Sequence, residues 1–450
     1  MTRRIRASLG TAVLAATTAM LPHVALANPF DYFGFGARAI GLGGAATALS
    51  DDFSANHYNP AGLTVRDGLE LALGYFAAEP ALRLNARDTR VDPATGTQFG
   101  ATLRGLALSR KLALSIGLHL PDARITRLRA LPELQPRFAL FDNHPQRLVL
   151  TTSLAWEVLP DRLSVGVGLT YLSDTRGRLR VGGDVDLFDA EGTTLISAVD
   201  VNFAAVRSPS AGLLWRPNDH LRVGLAWREA FDLSLDIGVV VEGDIITGGA
   251  TDDRTPLVEG AMLAIVSQNT NLYTPRQFAL GVAWTEDDWT VALDCTWLGF
   301  SGLRSPTALL TTELDAGDLP LAIPPNPSPS APRFHDILIP RVGVEVEMLA
   351  TPKIVLTGRA GLSWEPSPAP VQRGVTNLAD SDKVGAALGV SLTFRDLTEV
   401  LPRPFHLDLA ARALTLLPRA HLKDDPADPI GDYVSRGTIG TFAAHLRFDL

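Results

Sequence analysis

Large apolar residues alternate with small or polar residues in many short stretches of this chain. Residues 289–297 (Trp-Thr-Val-Ala-Leu-Asp-Cys-Thr-Trp) show the pattern most clearly, and residues 278–284, 163–171 and 112–120 repeat it. A period of two residues is typical of a β-strand that has one apolar face and one polar face. The pattern therefore predicts an all-β protein made of many two-faced strands.

The predicted strands are joined alternately by tight turns and by wide loops. Residues 110–111 and 286–288 form tight turns, whereas residues 244–272 and 301–335 form wide loops. Short turns on one side and long loops on the other are typical of an outer-membrane β-barrel with an even number of strands. The strands are predicted at residues 69–83, 97–109, 112–120, 147–158, 163–182, 195–215, 221–243, 273–284, 289–300, 336–348, 354–364, 384–394, 405–416 and 438–450.

The apolar face of these strands is predicted to contact lipid. Beyond the N-terminal segment, the sequence has no uninterrupted apolar stretch of roughly 20 residues, the length that a membrane-spanning helix needs. A closed β-barrel is the other structure that satisfies every backbone polar group in lipid. The seven tryptophans lie near predicted strand ends, where aromatic residues meet the lipid headgroups. These features predict a transmembrane antiparallel β-barrel of about 14 strands.

The N-terminus has the composition of a secretory signal peptide. Arg3, Arg4 and Arg6 precede an apolar stretch, residues 9–26, which ends at a site with the small-x-small pattern. We predict a signal peptide over residues 1–27, and a membrane anchor is the alternative. Loss of the three arginines would change the formal net charge from −9 to −12, and an acidic exported protein is not suited to binding nucleic acid.

A barrel of this size is too wide to be filled by its own side chains, so its lumen must hold water or a plug. Residues 28–67 precede the predicted barrel, residues 68–450, and they are rich in glycine and alanine without a regular period. We predict that this segment folds inside the barrel as a hatch. Cys295 is the only cysteine, which excludes a disulfide within the chain and a metal cluster held by several thiolates.

Several motifs resemble those of the FadL/TodX family of outer-membrane transporters of hydrophobic compounds. Residues 37–45 (Ala-Arg-Ala-Ile-Gly-Leu-Gly-Gly-Ala) and 59–63 (Asn-Pro-Ala-Gly-Leu) match the hatch of that family, and residues 364–370 match its proline-rich loop. The resemblance covers nearly the whole chain and implies a location in the Gram-negative outer membrane. It also implies a non-enzymatic mechanism. A long-chain fatty acid or another apolar molecule enters a pocket above the hatch and leaves passively through the barrel wall.

A fatty acid in such a pocket would need a cation for its carboxylate, while each buried methylene contributes about 0.8 kcal/mol. Lumen-facing arginines are the candidate cations, and hatch phenylalanines are the candidate pocket lining. The alternative role of each arginine is a structural ion pair with a lumen acid such as Asp294, Glu345 or Asp408. The predicted ligand contacts are Phe33, Phe35, Arg38, Phe53, Arg222, Arg228 and Arg359, and the hatch motif comprises Asn59, Pro60, Ala61 and Gly62.

Other functions stay open at this point. The hatch opening is also similar to that of PorV-like accessory barrels, so an accessory or scaffold barrel that serves protein secretion is the alternative function. A mobile hatch would let small polar solutes diffuse through. A lipase would need a serine beside a histidine and a carboxylate, and no strand serine is predicted at the depth of His119 or His445. We therefore expect no enzymatic activity, no cofactor and no metal.

The sequence also predicts features of the surroundings of the barrel. Thr255 and Pro256 have the pattern of a helix cap followed by the first helical turn, so a short apolar helix is predicted through Val266 in an outer loop. It would provide an apolar landing site above the pore. Outer-membrane lipid, lipopolysaccharide and the barrel-assembly machinery are the other expected partners, besides the apolar cargo.

Overall fold

The computed structural model of the 450-residue chain describes residues 29–105, 112–123, 135–142, 147–186, 194–247, 255–304, 309–315, 331–395, 403–424, 426 and 428–450. The predicted signal peptide lies outside the described residues. Within these ranges, 18 strands belong to one sheet. No helix in the same ranges is long and apolar enough to cross a membrane.

Most strand bounds agree closely with the predicted ones in the lower part of the barrel, but residues 106–111, which include the tight turn predicted at residues 110–111, lie outside the described residues. In chain order, the strands are β1 (Leu69–Leu84), β2 (Arg87–Asp88), β3 (Ala94–Arg104), β4 (Leu112–Pro121), β5 (Val149–Leu159), β6 (Leu163–Asp186), β7 (Thr194–Trp215), β8 (Leu221–Arg228), β9 (Phe231–Thr247), β10 (Thr255–Thr274), β11 (Arg276–Thr285), β12 (Trp289–Gly299), β13 (Leu309–Asp315), β14 (Ile337–Ala350), β15 (Ile354–Glu365), β16 (Lys383–Phe394), β17 (Phe405–His421) and β18 (Tyr433–Asp449).

Fourteen of the described strands form a closed antiparallel ring: β1, β3 to β8, β11, β12 and β14 to β18. Strand β1 pairs with β18 from Glu70 and Asp449 to Leu84 and Ser435, and this pairing closes the ring. Strand β8 pairs directly with β11, and β12 pairs directly with β14, so β9, β10 and β13 are not part of the ring. The predicted transmembrane antiparallel barrel of about 14 strands is confirmed.

Side chains of the ring strands alternate between the outer surface and the lumen, as the period of two predicts. On β1, Leu71, Leu73 and Tyr75 are exposed, whereas Ala72 and Phe76 are buried. Each of the seven tryptophans lies within three residues of a ring-strand end. An outer surface of this composition needs lipid as its solvent, because water would leave all of its apolar area exposed.

Residues 29–68 lie inside the ring. They form α1 (Pro29–Phe33), α2 (Ala37–Gly41), α3 (Ala55–Tyr58) and a short 3₁₀-helix (Pro60–Thr64), and nearly all of their side chains are buried. The backbone of this segment approaches the wall at wall glycines. A Cβ at Gly361 would overlap the backbone of Leu42 and Gly43, and a Cβ at Gly166 would overlap that of Pro60. The small inward residues thus leave the space that the plug occupies.

The predicted hatch motif contacts the wall through its asparagine. Asn59 Oδ1 accepts a hydrogen bond from the amide of Ala61 at 3.1 Å and so caps the 3₁₀-helix. Its Nδ2 donates to the carbonyl of Thr47 at 2.9 Å and to that of Leu213, on β7, at 3.1 Å. One fully buried side chain therefore connects two parts of the hatch with the barrel wall.

Strands β9, β10 and β13 join the outer parts of β6 and β7 in a five-stranded sheet beyond the ring, which we call the outer sheet. The chain leaves β8 and reaches the edge of β6 that faces away from β7, where β9 pairs in parallel with β6. It crosses the lumen at Phe231, which is buried in a cluster with Phe30. The single strand predicted over residues 221–243 is therefore wrong, because the chain divides into β8 and β9.

The apolar helix predicted from Thr255 to Val266 is also wrong, because this segment is the first part of β10. Strand β10 pairs with β9 along its length and with β13 on its other edge. Ladders on both edges satisfy the backbone groups that a helix would have paired internally, so strand pairing outweighs the local capping signal. Pro256 lies beside a register shift, where a residue that cannot donate a ladder hydrogen bond is tolerated.

Two connections fold into the outer half of the lumen. The amide of Arg137 donates to the carbonyl of Asn377 at 3.1 Å, and the amide of Ala379 donates to the carbonyl of Arg137 at 2.8 Å. Residues 135–142 and 366–382 therefore lie side by side. Arg419, on β17, holds the second connection through hydrogen bonds to the carbonyls of Ala369 and Asp380, at 2.8 and 3.2 Å.

Candidate ligand cavity

A polar cavity lies between the hatch and one side of the barrel wall. Helices α1 and α3 form its hatch side, and β8, β11, β12, β14, β15 and β17 form its wall side. It lies where the hatch meets the outer half of the lumen. The charged and imidazole side chains that line it are Asp31, His57, Arg228, Arg341, Glu365 and Arg412.

One arginine of the cavity is already paired with the hatch. Arg228 Nη2 lies 3.1 Å from Asp31 Oδ1, and Arg228 Nη1 donates to the backbone carbonyl of His57 at 2.9 Å. Gln277 Nε2 donates to the same Asp31 oxygen at 2.9 Å. Burial raises the pKa of Asp31, although Arg228 opposes the shift. Burial and the Arg228 guanidinium both lower the pKa of His57 well below its usual value. In the described ranges, no cluster of three or more His, Cys, Asp or Glu residues is arranged to hold a metal ion.

The other two arginines of the cavity, Arg341 and Arg412, have no carboxylate partner. Arg341 Nη1 donates to the hydroxyl of Thr296 at 2.7 Å, and the buried Nε of Arg412 has no hydrogen-bond partner. Neither guanidinium forms an ion pair with any residue that the structure describes. Glu365, the second acid of the cavity, lies 3.0 Å from Lys383 Nζ and is paired with it. The cavity therefore holds two positive charges that an anionic group could neutralise.

The acid opposite Arg341 is engaged elsewhere. Asp294 is the direct neighbour of Arg341 in the register of β12 and β14. Its Oδ2 accepts hydrogen bonds from the backbone amides of Ala46 and Thr47, at 2.9 and 2.8 Å. This carboxylate holds the hatch against the wall and forms no ion pair with Arg341. The guanidinium of Arg341 is therefore available to a ligand in the cavity.

An apolar region adjoins the cavity in the outer half of the lumen. Tyr32, Phe300 and Ile339 line the cavity and also belong to the largest cluster of buried apolar side chains. In that cluster, the rings of Tyr32 and Phe141 meet edge to face with their centroids 5.6 Å apart. Phe141 lies on the first of the two inward connections. A molecule whose head group reached the arginines would thus have its tail among aromatic and aliphatic side chains.

The ion pairs of the inner half of the lumen join the hatch to the wall. Arg38, on α2, lies 2.8 Å from Asp51 and 3.0 Å from Glu345. Glu345 is also 2.6 Å from Arg359, which in turn lies 2.9 Å from Asp408. Burial alone would raise the pKa of Asp51, but the nearby guanidiniums of Arg66 and Arg38 hold it well below its usual range.

The structure separates the predicted ligand contacts into several groups. Arg228 lines the cavity, and Phe33 belongs to the adjoining apolar cluster. Phe35 and Phe53 lie in another cluster, with their ring centroids 5.0 Å apart. Three of the predicted arginines form ion pairs in the inner half of the lumen, and these are Arg38, Arg222 and Arg359. Ligand contact by these residues stays a prediction.

Sequence reasoning missed the two arginines that lack an acid partner. Both point into the lumen by the same alternation that identified Arg222 and Arg359. The residues opposite Arg412 in the register are Ala387 and Thr441, so no neighbouring strand offers it an acid. For Arg412, the signal was an inward arginine without an acid at matching depth; for Arg341 there was none, because Asp294 lies opposite it. The signal for Arg412 could be used only once the register between the strands was known.

Comparison with known proteins supports one family. Residues 18–400 match the family model described as "Outer membrane protein transport protein (OMPP1/FadL/TodX)". A curated relative is alkane uptake protein A of Marinobacter nauticus, which is 22% identical over 419 residues, covering 89% of this chain and 87% of the relative.

Two solved structures have a similar fold. A FadL homologue of Pseudomonas aeruginosa is 14% identical with a TM-score of 0.58, and the alignment covers 95% of this chain and all of that chain. The toluene transporter TodX of P. putida is 13% identical with a TM-score of 0.55, covering 92% of this chain and 98% of that chain. At this level of identity, the similarity shows the fold alone.

Proposed function

This chain belongs to the outer membrane transport protein family OMPP1/FadL/TodX, and we propose that it carries long-chain fatty acids or similar apolar molecules with an anionic head group. The family consists of transporters of hydrophobic compounds rather than enzymes. Its barrel lies in the Gram-negative outer membrane. The side chains of the cavity bear on one part of this function, which is the chemical class of the cargo.

The unpaired guanidiniums of Arg341 and Arg412 carry the proposal. A carboxylate beside them would replace water as the partner of two half-buried charges, and a charge-assisted hydrogen bond is roughly twice as strong as a neutral one. Tyr32, Phe300 and Ile339 would surround the first methylenes of the acyl chain. Each methylene that leaves water contributes about 0.8 kcal/mol. The head group of a fatty acid thus matches the arginines of the cavity, and its tail matches the apolar cluster beside it.

Neutral cargo matches this cavity less well. The names of the relatives refer to alkane uptake and toluene transport, and neither kind of molecule carries a charge. Two half-buried guanidiniums without an anion cost free energy, because partial burial removes part of their hydration and the two positive charges repel each other. A cargo that brings its own carboxylate removes this cost, so the arginines favour an acid over a hydrocarbon.

The route through the wall is proposed to lie between β7 and β8. These strands pair only from Ser210–Arg228 to Trp215–Val223, whereas β6 pairs with β7 over 22 residues. Beyond Ser210, the edge of β7 that would face β8 has no partner strand among the described residues. The cavity lies directly inside this point, since Arg228 ends β8. A bound molecule could therefore leave sideways into the outer leaflet without moving the hatch.

The test compares palmitate with hexadecane. Purified protein in nanodiscs would be titrated with each radiolabelled compound, as wild type and as the double variant Arg341→Gln/Arg412→Gln. Hydrogen bonds to charged groups contribute about 1.5–3 kcal/mol, so palmitate affinity should fall about tenfold or more. Hexadecane affinity should stay the same or rise, because it has no group for the arginines to bind.

Arg83→Gln is the matched control, because Arg83 lies on β1 and is exposed on the outer surface. It should change neither affinity. Equal losses for palmitate and hexadecane would show a collapsed cavity, and unchanged palmitate affinity would refute the carboxylate site. An accessory barrel of protein secretion would give another result: a deletion strain would take up palmitate normally, and the protein would co-purify with a secretion complex.

A further inference from the structure

An apolar groove lies on the lipid-facing surface of the barrel, across β1 and β15 to β18. Its volume is about 790 Å³. Leu388 and Phe442 border it and are 68% and 47% exposed. A Cβ at Gly440 would meet no atom within 4 Å, so the space above this glycine is open. The small outward residues that line the groove are Ala77, Ala386, Ala411, Ala413 and Gly440.

The groove leads along β1 and β18 to two outward arginines. Residues two apart on a strand face the same side of a sheet, and these two strands pair without a register shift. Their outward positions therefore form one continuous column of paired residues. From the groove toward the outside, the pairs are Ala77 with Phe442, Glu79 with Gly440, Ala81 with Thr438, and Arg83 with Arg436.

The heights of these residues match the layers of the outer leaflet. Glu79 follows Leu69, the first residue of β1, by 10 residues, which is about 25 Å of height at a strand tilt near 40°. Arg83 follows Leu69 by 14 residues, which is about 35 Å. The apolar band of such a barrel is about 25 Å tall. Glu79 therefore lies at the outer boundary of this band, and the arginines lie at the level of the lipid head groups.

The two arginines lack a counter-ion. Both are exposed, and neither guanidinium forms a hydrogen bond or an ion pair with any residue in the described ranges. Asp88, opposite Arg83 on β2, accepts the backbone amide of Arg90 at 2.8 Å instead. The residues beside Arg436 on β17, at a register shift, include no acid. Like charges directly opposite each other destabilise a sheet, so an anionic group between them would be stabilising.

The carboxylate of Glu79 indicates which class of anionic lipid fits. Glu79 lines the groove and lies four residues, or about 13 Å of strand, from Arg83. An ionised carboxylate can only accept hydrogen bonds. A phospholipid offers only ester oxygens between its phosphate and its hydrocarbon, and these cannot donate. Lipid A, the membrane anchor of lipopolysaccharide, has amide and hydroxyl donors at this level.

We propose that this groove is a binding site for the lipid A part of lipopolysaccharide. An acyl chain fills the space above the small residues, and amide or hydroxyl groups of the lipid donate to Glu79. A phosphate lies between Arg83 and Arg436 and neutralises their charge. The site covers the seam where β18 meets β1 and closes the ring. It goes beyond the proposed function, because it does not depend on the identity of the cargo.

The test compares two lipids that both carry a phosphate monoester. Full-length protein in phosphatidylcholine nanodiscs would be titrated with radiolabelled lipid A and, separately, with phosphatidic acid, which has no donor below its phosphate. Wild type should bind lipid A at least about tenfold more tightly than phosphatidic acid. Arg83→Gln/Arg436→Gln should weaken lipid A binding about tenfold or more, because two charge-assisted contacts are lost.

The matched control is Arg87→Gln/Arg90→Gln, which removes two charges from the connection between β1 and β3. Arg87 is paired with Leu84, so it does not share the side of Arg83. This control should change lipid A affinity less than about twofold. Equal losses in both variants would show a general effect of charge and overturn the site, as would an unchanged affinity of Arg83→Gln/Arg436→Gln.

Two further variants test the groove and the carboxylate without removing a positive charge. Ala413→Leu/Gly440→Leu fills the groove at two directly paired positions, so lipid A affinity should fall at least about fivefold. Glu79→Leu should reduce the preference for lipid A over phosphatidic acid. Equal binding of the two lipids by wild type would overturn the assignment to lipid A, and unchanged affinity of the filled variant would overturn the groove. Palmitate binding by the same samples tests the proposed function separately, since no variant alters the cavity arginines.

Discussion

At the scale of single residues, Glu345 shows how the hatch is joined to the wall. Its carboxylate lies between Arg38 of the hatch and Arg359 of β15. Asp408 continues the series, since it lies 2.9 Å from Arg359 and 2.7 Å from Arg447. Opposite charges thus alternate from the hatch through residues of four strands, β14, β15, β17 and β18. Each buried charge depends on its neighbours, because an unpaired one would lack both water and a counter-ion.

Replacing Glu345 should therefore destabilise the barrel. Glu345→Gln leaves two buried guanidiniums with one carboxylate fewer, and the loss of one partner of a buried pair typically costs about 3–5 kcal/mol. Urea unfolding in lipid vesicles measures this loss. Glu347→Gln is the control, two residues further along the same strand, where the side chain is exposed. It should change the free energy of unfolding by less than about 0.5 kcal/mol. Equal effects of both changes would contradict a special role of the ion series.

The sequence could predict which arginines face the lumen but not which of them are paired. Alternation along one strand gives the direction of a side chain, so the inward positions of Arg222, Arg228 and Arg359 followed from local sequence alone. Pairing depends on the depth of the neighbouring strands and on where the hatch lies. Asp294 illustrates this point, because it faces Arg341 in the register and yet binds two hatch amides.

At the scale of elements, the ring strands were predictable and the outer sheet was not. A ring strand contacts lipid on one side and the plug on the other, so large apolar residues and small or polar residues alternate clearly along it. Strand β10 has apolar residues on both sides, such as Leu263, Ala264, Ile265 and Val266, and a short apolar run is compatible with a helix as well as a strand. Its partners β9 and β13 decide in favour of a strand, and they are distant in sequence.

The fit between wall glycines and hatch predicts how the channel could be opened. Gly361→Ala would bring a Cβ into the backbone of Leu42 and Gly43, which cannot move aside as the end of a flexible side chain can. The hatch should move away from β15, so planar-bilayer recordings should show ion conductance well above the wild-type level. Gly440→Ala is the control, because its Cβ would meet no atom within 4 Å. A silent Gly361→Ala channel would show that the hatch adapts without opening.

At the scale of the whole molecule, the barrel and the hatch form one electrostatic unit, and His57 links its stability to pH. Burial and Arg228 hold the pKa of the docked imidazole well below 6.5. In an undocked or unfolded hatch, the imidazole would take up a proton near pH 6.5. The undocked state thus binds more protons below this pH, so docking weakens as the pH falls. Above pH 6.5, the imidazole is neutral in both states and its contribution is constant.

This linkage can be measured as a difference between two proteins. Below pH 6.5, the stability advantage of wild type over His57→Gln should shrink by about 1.4 kcal/mol per pH unit, the value for one proton. Urea unfolding at several values between pH 7.5 and 5.0 gives this slope. Asp31 acts in the opposite direction, because burial raises its pKa and favours its protonated form in the docked hatch. Its Oδ1 lies 3.7 Å from His57 Nε2, so the same comparison in an Asp31→Asn background isolates the imidazole. Parallel curves across this range would mean that the docked and undocked states bind the same number of protons at His57. That result would contradict a neutral His57 imidazole in the docked hatch.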